Sequence, residues 1–261
     1  MDAHEPLLPT LFRSSRRLFG FKKQKYGQIM RIGILEDDSA LAVQLQQLLT
    51  TEGHSCFMFA NGQKLIGFLS RETVDILLLD WNVPDVSGLD VIRWSRQNIS
   101  RNPLILVLTS RTAEEDIVRA LRAGADEYVV KPIQSAALIA RIDALCRRVY
   151  PQPPSTEPER FGDYIFDTRM ETASLGQEPV QLTAKEFALA LMLFRNLNRT
   201  MSRSYIFEAL WGANPDLQTR TLDAHISKVR TKLGLRASNG FRLVPIYGYG
   251  YRLEAMTEQI I

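Results

Sequence analysis

The 261-residue sequence predicts two domains of different class: a doubly wound α/β domain on a five-stranded parallel sheet and, after it, an α+β domain. Three observations carry this expectation. Between Met30 and Tyr150, short apolar runs alternate with stretches of helical period, the pattern of a parallel sheet covered by helices on both faces. Residues 151–159, PQPPSTEPE, hold four prolines, which cannot continue a helix and bury little, so they read as a linker. Beyond them the texture changes to a β-rich opening, then helices, then a terminal hairpin over residues 160–261.

Residues 1–29 show no clean periodicity and carry six basic and two acidic residues. The basic residues interrupt any apolar stretch, which argues against a secretory signal. Two readings stay open: a misassigned start with Met30 as the true first residue, or a disordered basic arm able to touch phosphates or membrane. From Met30 the strand candidates are Ile32–Leu35, Ser55–Phe59, Val74–Asp80, Leu104–Thr109 and Tyr128–Lys131. The first helix is expected over Ala40–Thr51, with Gly53 just past its end. In the second domain, strands are expected over Tyr164–Leu175. Thr183-Ala184-Lys185-Glu186 is a capping box in which hydroxyl and carboxylate satisfy the first free amides of a helix. Ser202 caps the next helix, which ends at Trp211-Gly212, and a third runs from about Arg220 to Leu233.

Composition bounds the function. Hydrophobic content of 45% and charged content of 23% are ordinary for a globular protein. No stretch approaches the roughly 18 apolar residues of a membrane span. Cys56 and Cys146 lie far apart and match no metal-ligand spacing, as in a reduced, cytoplasmic protein. The net charge of +3 is uneven: residues 30–150 carry −2 and residues 160–261 carry +3. That asymmetry gives the C-terminal part slight support as a nucleic-acid binder.

Ligands of an open parallel sheet bind beyond the carboxyl ends of its strands. Here those ends deliver Glu36-Asp37-Asp38, Asp80, Thr109-Ser110 and Lys131-Pro132. Each alone is an ordinary turn or capping residue; together they bring carboxylates, a hydroxyl and an ammonium to one edge. With ILEDD, ILLLDWNVPDVSGLD, LVLTS and GADEYVVKP in that order, residues 30–148 resemble the flavodoxin-like receiver domains of two-component response regulators. The resemblance implies that Asp80 accepts a phosphoryl group from a sensor histidine kinase. It implies that Glu36, Asp37, Asp80 and the backbone carbonyl of Asn82 hold Mg²⁺, an ion that wants hard oxygen ligands. Lys131 and Thr109 would contact phosphoryl oxygens, and Thr109 with Tyr128 would form the switch. Neutralising charge between a carboxylate and an anionic phosphoryl group is the physical need these groups meet.

The same resemblance implies a dimer through the face of the fourth helix, fifth strand and fifth helix. Arg119, Arg122, Asp126, Glu127 and Arg141 offer mixed charges for an isologous contact, with Asp126 and Arg141 as the preferred pair across it. The Phe and Glu that relatives carry after Lys-Pro are Ile133 and Ala137 here, so one ion pair is missing.

In the third helix of the second domain, Leu222, Ile226, Val229 and Leu233 form an apolar stripe at helical spacing. The opposite face carries Arg220, Ala224, Ser227, Lys228 and Thr231, flanked by Thr221, His225, Arg230 and Lys232. Small, polar and basic residues in front of a greasy back suit the major groove. LTAKEFALALMLFRN, SRSYIFEALWG, TRTLDAHISKVRTKLG and YGYGYRL resemble the OmpR/PhoB-type winged helix-turn-helix over residues 160–254. That implies double-stranded promoter DNA as partner. Arg220 and Lys228 would touch bases or phosphates, Arg230 would touch the backbone, and the Gly248–Gly250 turn would be the wing. Residues 212–219 would be the loop facing RNA polymerase. Where relatives often carry a wing arginine this chain has Tyr247, so the helix is expected to carry more of the readout.

The expectation is therefore a phosphorylation-promoted dimer that regulates transcription and has no enzymatic turnover beyond its own aspartyl phosphate. A hydrolase with an aspartyl nucleophile lacks support, since Asn82 rather than a general acid follows Asp80 by two residues. A constitutive DNA-binding module is disfavoured by the complete set Asp37, Asp80, Thr109 and Lys131.

Overall fold

A computed structural model describes residues 29–99, 103–149, 157–212 and 220–256. The receiver-like part runs β1 (Arg31–Leu35), α1 (Ser39–Thr51), β2 (Ser55–Phe59), α2 (Gly62–Leu69), β3 (Ile76–Leu79), α3 (Gly88–Asn98), β4 (Leu104–Thr109), α4 (Glu114–Ala123), β5 (Glu127–Val130) and α5 (Ser135–Val149). All strand pairs are parallel, in the order β2-β1-β3-β4-β5. The order reverses between β1 and β3, and a crevice opens there at the carboxyl ends of the strands.

The central strands are continuous apolar runs because both of their faces are covered. Ile32, Ile34, Ile76, Leu78, Leu106 and Leu108 pack on one side with Leu45, Leu49 and Ile142. Leu77, Leu79, Ile105 and Val107 pack on the other with Leu65, Val91 and Ile92. α1 is capped by Asp38, whose carboxylate accepts from the Ala40 and Leu41 amides, and Gly53 follows with φ 89°, as expected of a residue past a helix end. β3 is shorter than the sequence predicts and β5 begins one residue earlier. The ladder nevertheless continues through Asp75 and Asp80 on either side of β3 and through Lys131 after β5.

The second part begins with β6 (Glu159–Phe161), β7 (Tyr164–Asp167), β8 (Thr172–Leu175) and β9 (Glu178–Val180), an antiparallel four-stranded sheet. Glu159, read as the last linker residue, thus opens a strand; 150–156 lie outside the described residues, as do 1–28. Then come α6 (Ala184–Arg195), β10 (Met201–Ser202), α7 (Arg203–Trp211), α8 (Arg220–Lys232), β11 (Phe241–Ile246) and β12 (Gly250–Ala255). β10, β12 and β11 form a second antiparallel sheet in that order. The Thr183–Glu186 capping box opens α6, and Ser202 caps α7. β10 and β12 approach so closely at Gly250 that an added Cβ would stand 2.1 Å from the Met201 carbonyl oxygen. The core joins Tyr164, Phe166 and Phe194 to the buried stripe Leu222, Ile226, Val229 and Leu233 of α8.

Candidate phosphoacceptor site and DNA-facing helix

The crevice gathers the residues that the strand ends supply. Glu36 and Asp37 follow β1, Asp80 follows β3, and one carboxylate oxygen from each lies within 4.8 Å of the others. Lys131, after β5, reaches across the edge: its ammonium donates to Glu36 Oε2 at 2.6 Å and to Asp80 Oδ2 at 2.7 Å. Glu36 is the most enclosed of the set, at 4% exposure. Burial pushes its carboxyl above the ordinary 4.5 even though Lys131 opposes this. Burial also pulls on the Lys131 ammonium, but its bonds to Asp80 and Glu36 outweigh that, and its pKa is raised. The lysine therefore stays charged and holds the acidic cluster together. Three hard oxygen donors at one solvent-facing edge suit a divalent cation of the Mg²⁺ type.

Local backbone fixes Asp80. The Asn82 amide donates to Asp80 Oδ1 at 3.2 Å, and the Gly88 amide donates to the Trp81 carbonyl at 3.0 Å. An alanine Cβ at position 88 would stand 2.1 Å from the Asp80 carbonyl oxygen. Glycine is required there because the start of α3 presses on the backbone that carries Asp80.

Thr109 ends β4 fully buried, with its Oγ1 accepting from the Arg111 amide at 3.4 Å. Tyr128, on the neighbouring β5, is half-buried and its hydroxyl donates to the Arg111 carbonyl at 3.1 Å. The predicted switch pair thus meets through Arg111, a residue sequence reasoning missed. Its guanidinium donates to Asn82 Oδ1 at 3.0 and 3.1 Å, pairs with Asp116 at 3.1 Å, and lies 5.3 Å from the centroid of the Trp81 ring. It ties the β3 loop to the start of α4. The available signal was a cation two residues beyond Thr109, on the same anion-facing edge.

On α8, Ala224, Ser227, Lys228 and Thr231 are exposed on the face opposite the apolar stripe. Thr221 and Arg230 are half-buried. His225 Nδ1 donates to the Thr221 carbonyl at 2.8 Å and the ring packs edge-on against Trp211, with centroids 5.2 Å apart. Lys232 is turned to Glu186 at 2.7 Å. The side chain of Arg220 and residues 213–219 of the predicted polymerase-facing loop 212–219 lie outside the described residues. At the wing Tyr247 is fully exposed and Tyr251 is buried, but Tyr249 leaves the wing and hydrogen-bonds Thr73 of the first domain at 3.1 Å.

The mixed-charge face expected to dimerise is satisfied differently from the preferred pairing. Asp126 pairs with Arg96 at 2.8 Å and accepts from the Ile105 amide, so it is held within its own chain. Arg141 pairs with Glu127 at 3.0 Å, and Arg119 lies 3.8 Å from Asp116. Arg122 is exposed. Asp126 and Arg141 therefore each already hold a partner within the chain.

An acidic triad bridged by a lysine at the carboxyl edge of a 2-1-3-4-5 sheet, joined to a winged helix that presents Ser227, Lys228 and Thr231 to solvent, defines a DNA-binding response regulator. Residues 32–143 match the response regulator receiver domain family, and residues 176–253 match the transcriptional regulatory protein C-terminal family. The chain is 36% identical over 224 residues to the sensory transduction protein RegX3 of Mycolicibacterium smegmatis, covering 85% of this chain and 97% of that one. It is 35% identical over 227 residues to the phosphate regulon transcriptional regulatory protein PhoB of Rhizobium meliloti, covering 86% and 99%. The chain belongs to the OmpR/PhoB class of response regulators and acts in two-component signalling as a DNA-binding regulator of transcription. Among the described residues, no helix is long and apolar enough to cross a membrane.

Proposed function

We propose that Asp80 accepts a phosphoryl group from a phosphohistidine of a sensor histidine kinase, and that the phosphorylated chain dimerises and binds promoter DNA. The observation that carries this is the Lys131 ammonium held between Glu36 and Asp80 beside Asp37. An oxygen of the Asp80 carboxylate forms the new bond to phosphorus while the phosphorus–nitrogen bond breaks and the imidazole leaves with its electron pair. Mg²⁺, held by Glu36, Asp37, Asp80 and the Asn82 carbonyl, would neutralise phosphoryl oxygens. Lys131 supplies a second cation there. Thr109 can donate its hydroxyl to a phosphoryl oxygen, which would withdraw it from the Arg111 amide and release the segment that Tyr128 holds.

No external substrate is turned over in this reading; hydrolysis is confined to the aspartyl phosphate. The protein works in the cytoplasm, where kinase, promoter and RNA polymerase meet. Dimerisation would raise the effective concentration of the second DNA-binding domain on a repeated site. The test is intact-protein mass after incubation with acetyl phosphate and Mg²⁺. Wild type should gain one phosphoryl group in a Mg²⁺-dependent manner and Asp80→Asn should gain none. Equal labelling of both would place the nucleophile elsewhere.

A further inference from the structure

A cleft of about 400 Å³ lies between the ends of α2 and α3 on one side and strands β11 and β12 on the other. That volume falls in the lower part of the range of small-ligand sites, which favour domain boundaries. Its floor is apolar: Leu69, Val74, Trp94, Ile99 and Pro103 come from the first domain and Ile246 from the second. Trp94 and Ile99 are only half-buried, so indole and aliphatic surface stays open for a ligand to cover. Val74 precedes β3 and Asp80 follows it, about 20 Å apart at the rise of a strand. The cleft is therefore separate from the phosphoacceptor crevice.

The two walls carry opposite charge. On the first, Glu72 shares the guanidinium of Arg31 with Glu208, at 3.2 Å each. Two carboxylates on one cation leave a negative charge over. Among the described residues every bond to Glu72 goes to Oε2, from Arg31, Ser202 and Ser204, and Oε1 is left without a partner. The negative dipole ends of α2 and α3 also stand at this wall. α2 has no basic residue in its last turn, and Arg96 of α3 is turned away to Gly124 and Asp126. On the second wall, Arg252 and Arg242 share the one carboxylate of Glu254, which leaves a positive charge over. Arg252 reaches Glu254 through Nε and Nη2, so its Nη1 donors are unspent among the described residues. The Thr200 hydroxyl at the same wall is also without a partner among them. The remaining charged lining group, Arg199, is neutralised by Asp75 at 2.9 Å.

We propose that this cleft binds a small zwitterion with an apolar body: a free α-amino acid with an apolar side chain. Its ammonium donates to Glu72 Oε1 beside the ends of α2 and α3. Its carboxylate accepts from Arg252 Nη1 and the Thr200 hydroxyl, and its side chain covers Trp94 and Ile99. A molecule with a single charge, or none, leaves one excess charge of the cleft desolvated without a partner, and that cost is the basis of selection. The site gives the regulator a small-molecule input that does not pass through Asp80.

Calorimetric titration of the full chain with L-phenylalanine and L-leucine tests this, beside two analogues of the first. 3-Phenylpropionate lacks the ammonium and phenethylamine lacks the carboxylate. At least one amino acid should saturate a single site with a Kd below about 1 mM. Each analogue should bind wild type about tenfold more weakly than L-phenylalanine, the loss of one charge-assisted bond. Glu72→Gln keeps the shape and removes the charge; it should erase the preference over 3-phenylpropionate and leave that over phenethylamine. Arg252→Gln should do the reverse. Tryptophan emission should shift on binding, and Trp94→Phe should lose that shift while still binding. If either charge variant fails to fold, the analogue comparison on wild type and the Trp94→Phe emission decide the matter. No saturable binding of either amino acid, analogues that bind as tightly as L-phenylalanine, folded charge variants that keep both preferences, or an emission shift that survives Trp94→Phe would each overturn the site.

Discussion

Replacing Lys131 by alanine should separate the two duties of that ammonium. In the folded chain it sits 2.6 Å from Glu36 and 2.7 Å from Asp80, with side-chain exposures of 15%, 3% and 11% for the three residues. At an effective dielectric of about 20, each contact is worth roughly 6 kcal/mol of gross attraction. Most of that is offset by desolvation, and breaking a buried pair by deleting one partner costs about 3–5 kcal/mol net because the charge left behind is unpaired. Here the charges left behind are the acidic triad, with no cation facing it. Urea unfolding without divalent ions should therefore place Lys131→Ala about 3–5 kcal/mol below wild type. Mg²⁺ should restore much of the deficit, and Mg²⁺ titration should show tighter binding in the variant, since nothing competes for the Glu36 and Asp80 oxygens. Labelling by acetyl phosphate should still fall sharply, because the second cation at the phosphoryl oxygens is gone. A variant as stable as wild type without Mg²⁺, and binding it more weakly, would refute the electrostatic reasoning.

Gly88→Ala should cost about 1–3 kcal/mol in denaturant titration by forcing the Asp80 backbone aside, and phosphodonor labelling should slow with it; an unaffected labelling rate would mean the loop yields freely. Lys228→Ala should weaken duplex binding evenly across sequences and lower the salt-dependence slope by about 1, as for the loss of one phosphate contact. Glu186 ties Lys232 to the α6 cap, and although burial raises its pKa, the bonds from Lys232 and the Thr183 amide bring it below the ordinary 4.5. A depressed carboxylate contributes stability above its unfolded pKa and loses it as pH falls through the folded one. Glu186→Gln should thus lie about 1–2 kcal/mol below wild type at neutral pH, with the gap closing below about 4.5 in stability measured against pH.

The acidic crevice was legible in the sequence because its chemistry is carried by residue identity at strand ends. Apolar runs such as Ile76–Leu79 announce buried strands, and a parallel sheet places every carboxyl end on one edge, so Glu36, Asp37, Asp80, Thr109 and Lys131 converge once the strands are known. The outward face of α8 was legible for a similar reason: a stripe of four buried residues fixes which side remains. Arg111 escaped because arginine at a loop start is ordinary on a protein surface, and only the fold puts it against Asn82, Asp116 and Trp81 at once. The Arg96–Asp126 pair within the chain escaped as well, because Arg96 lies 30 positions from Asp126 in a helix with no local signal for it.

The hydrogen bonds between the two domains show a different limit. Their residues read, locally, as ordinary structural parts: Ser202 as the cap of α7 and Tyr249 as a wing aromatic. Those readings are correct, and that is why they hid the rest. Ser202 Oγ accepts from the Tyr205 amide as a cap and also from the Thr73 amide, and donates to Glu72. A hydroxyl with two lone pairs and one proton can serve both elements at once. Asp75 likewise accepts from the Arg31 amide within the receiver through one oxygen, while its other oxygen takes Arg199 and Tyr205. Local capping uses only part of the bonding capacity of such groups, and the remainder is assigned by partners more than a hundred positions away. Sequence periodicity carries no information at that separation. Only the matching of unspent donors and acceptors across the two domains assigns that remainder.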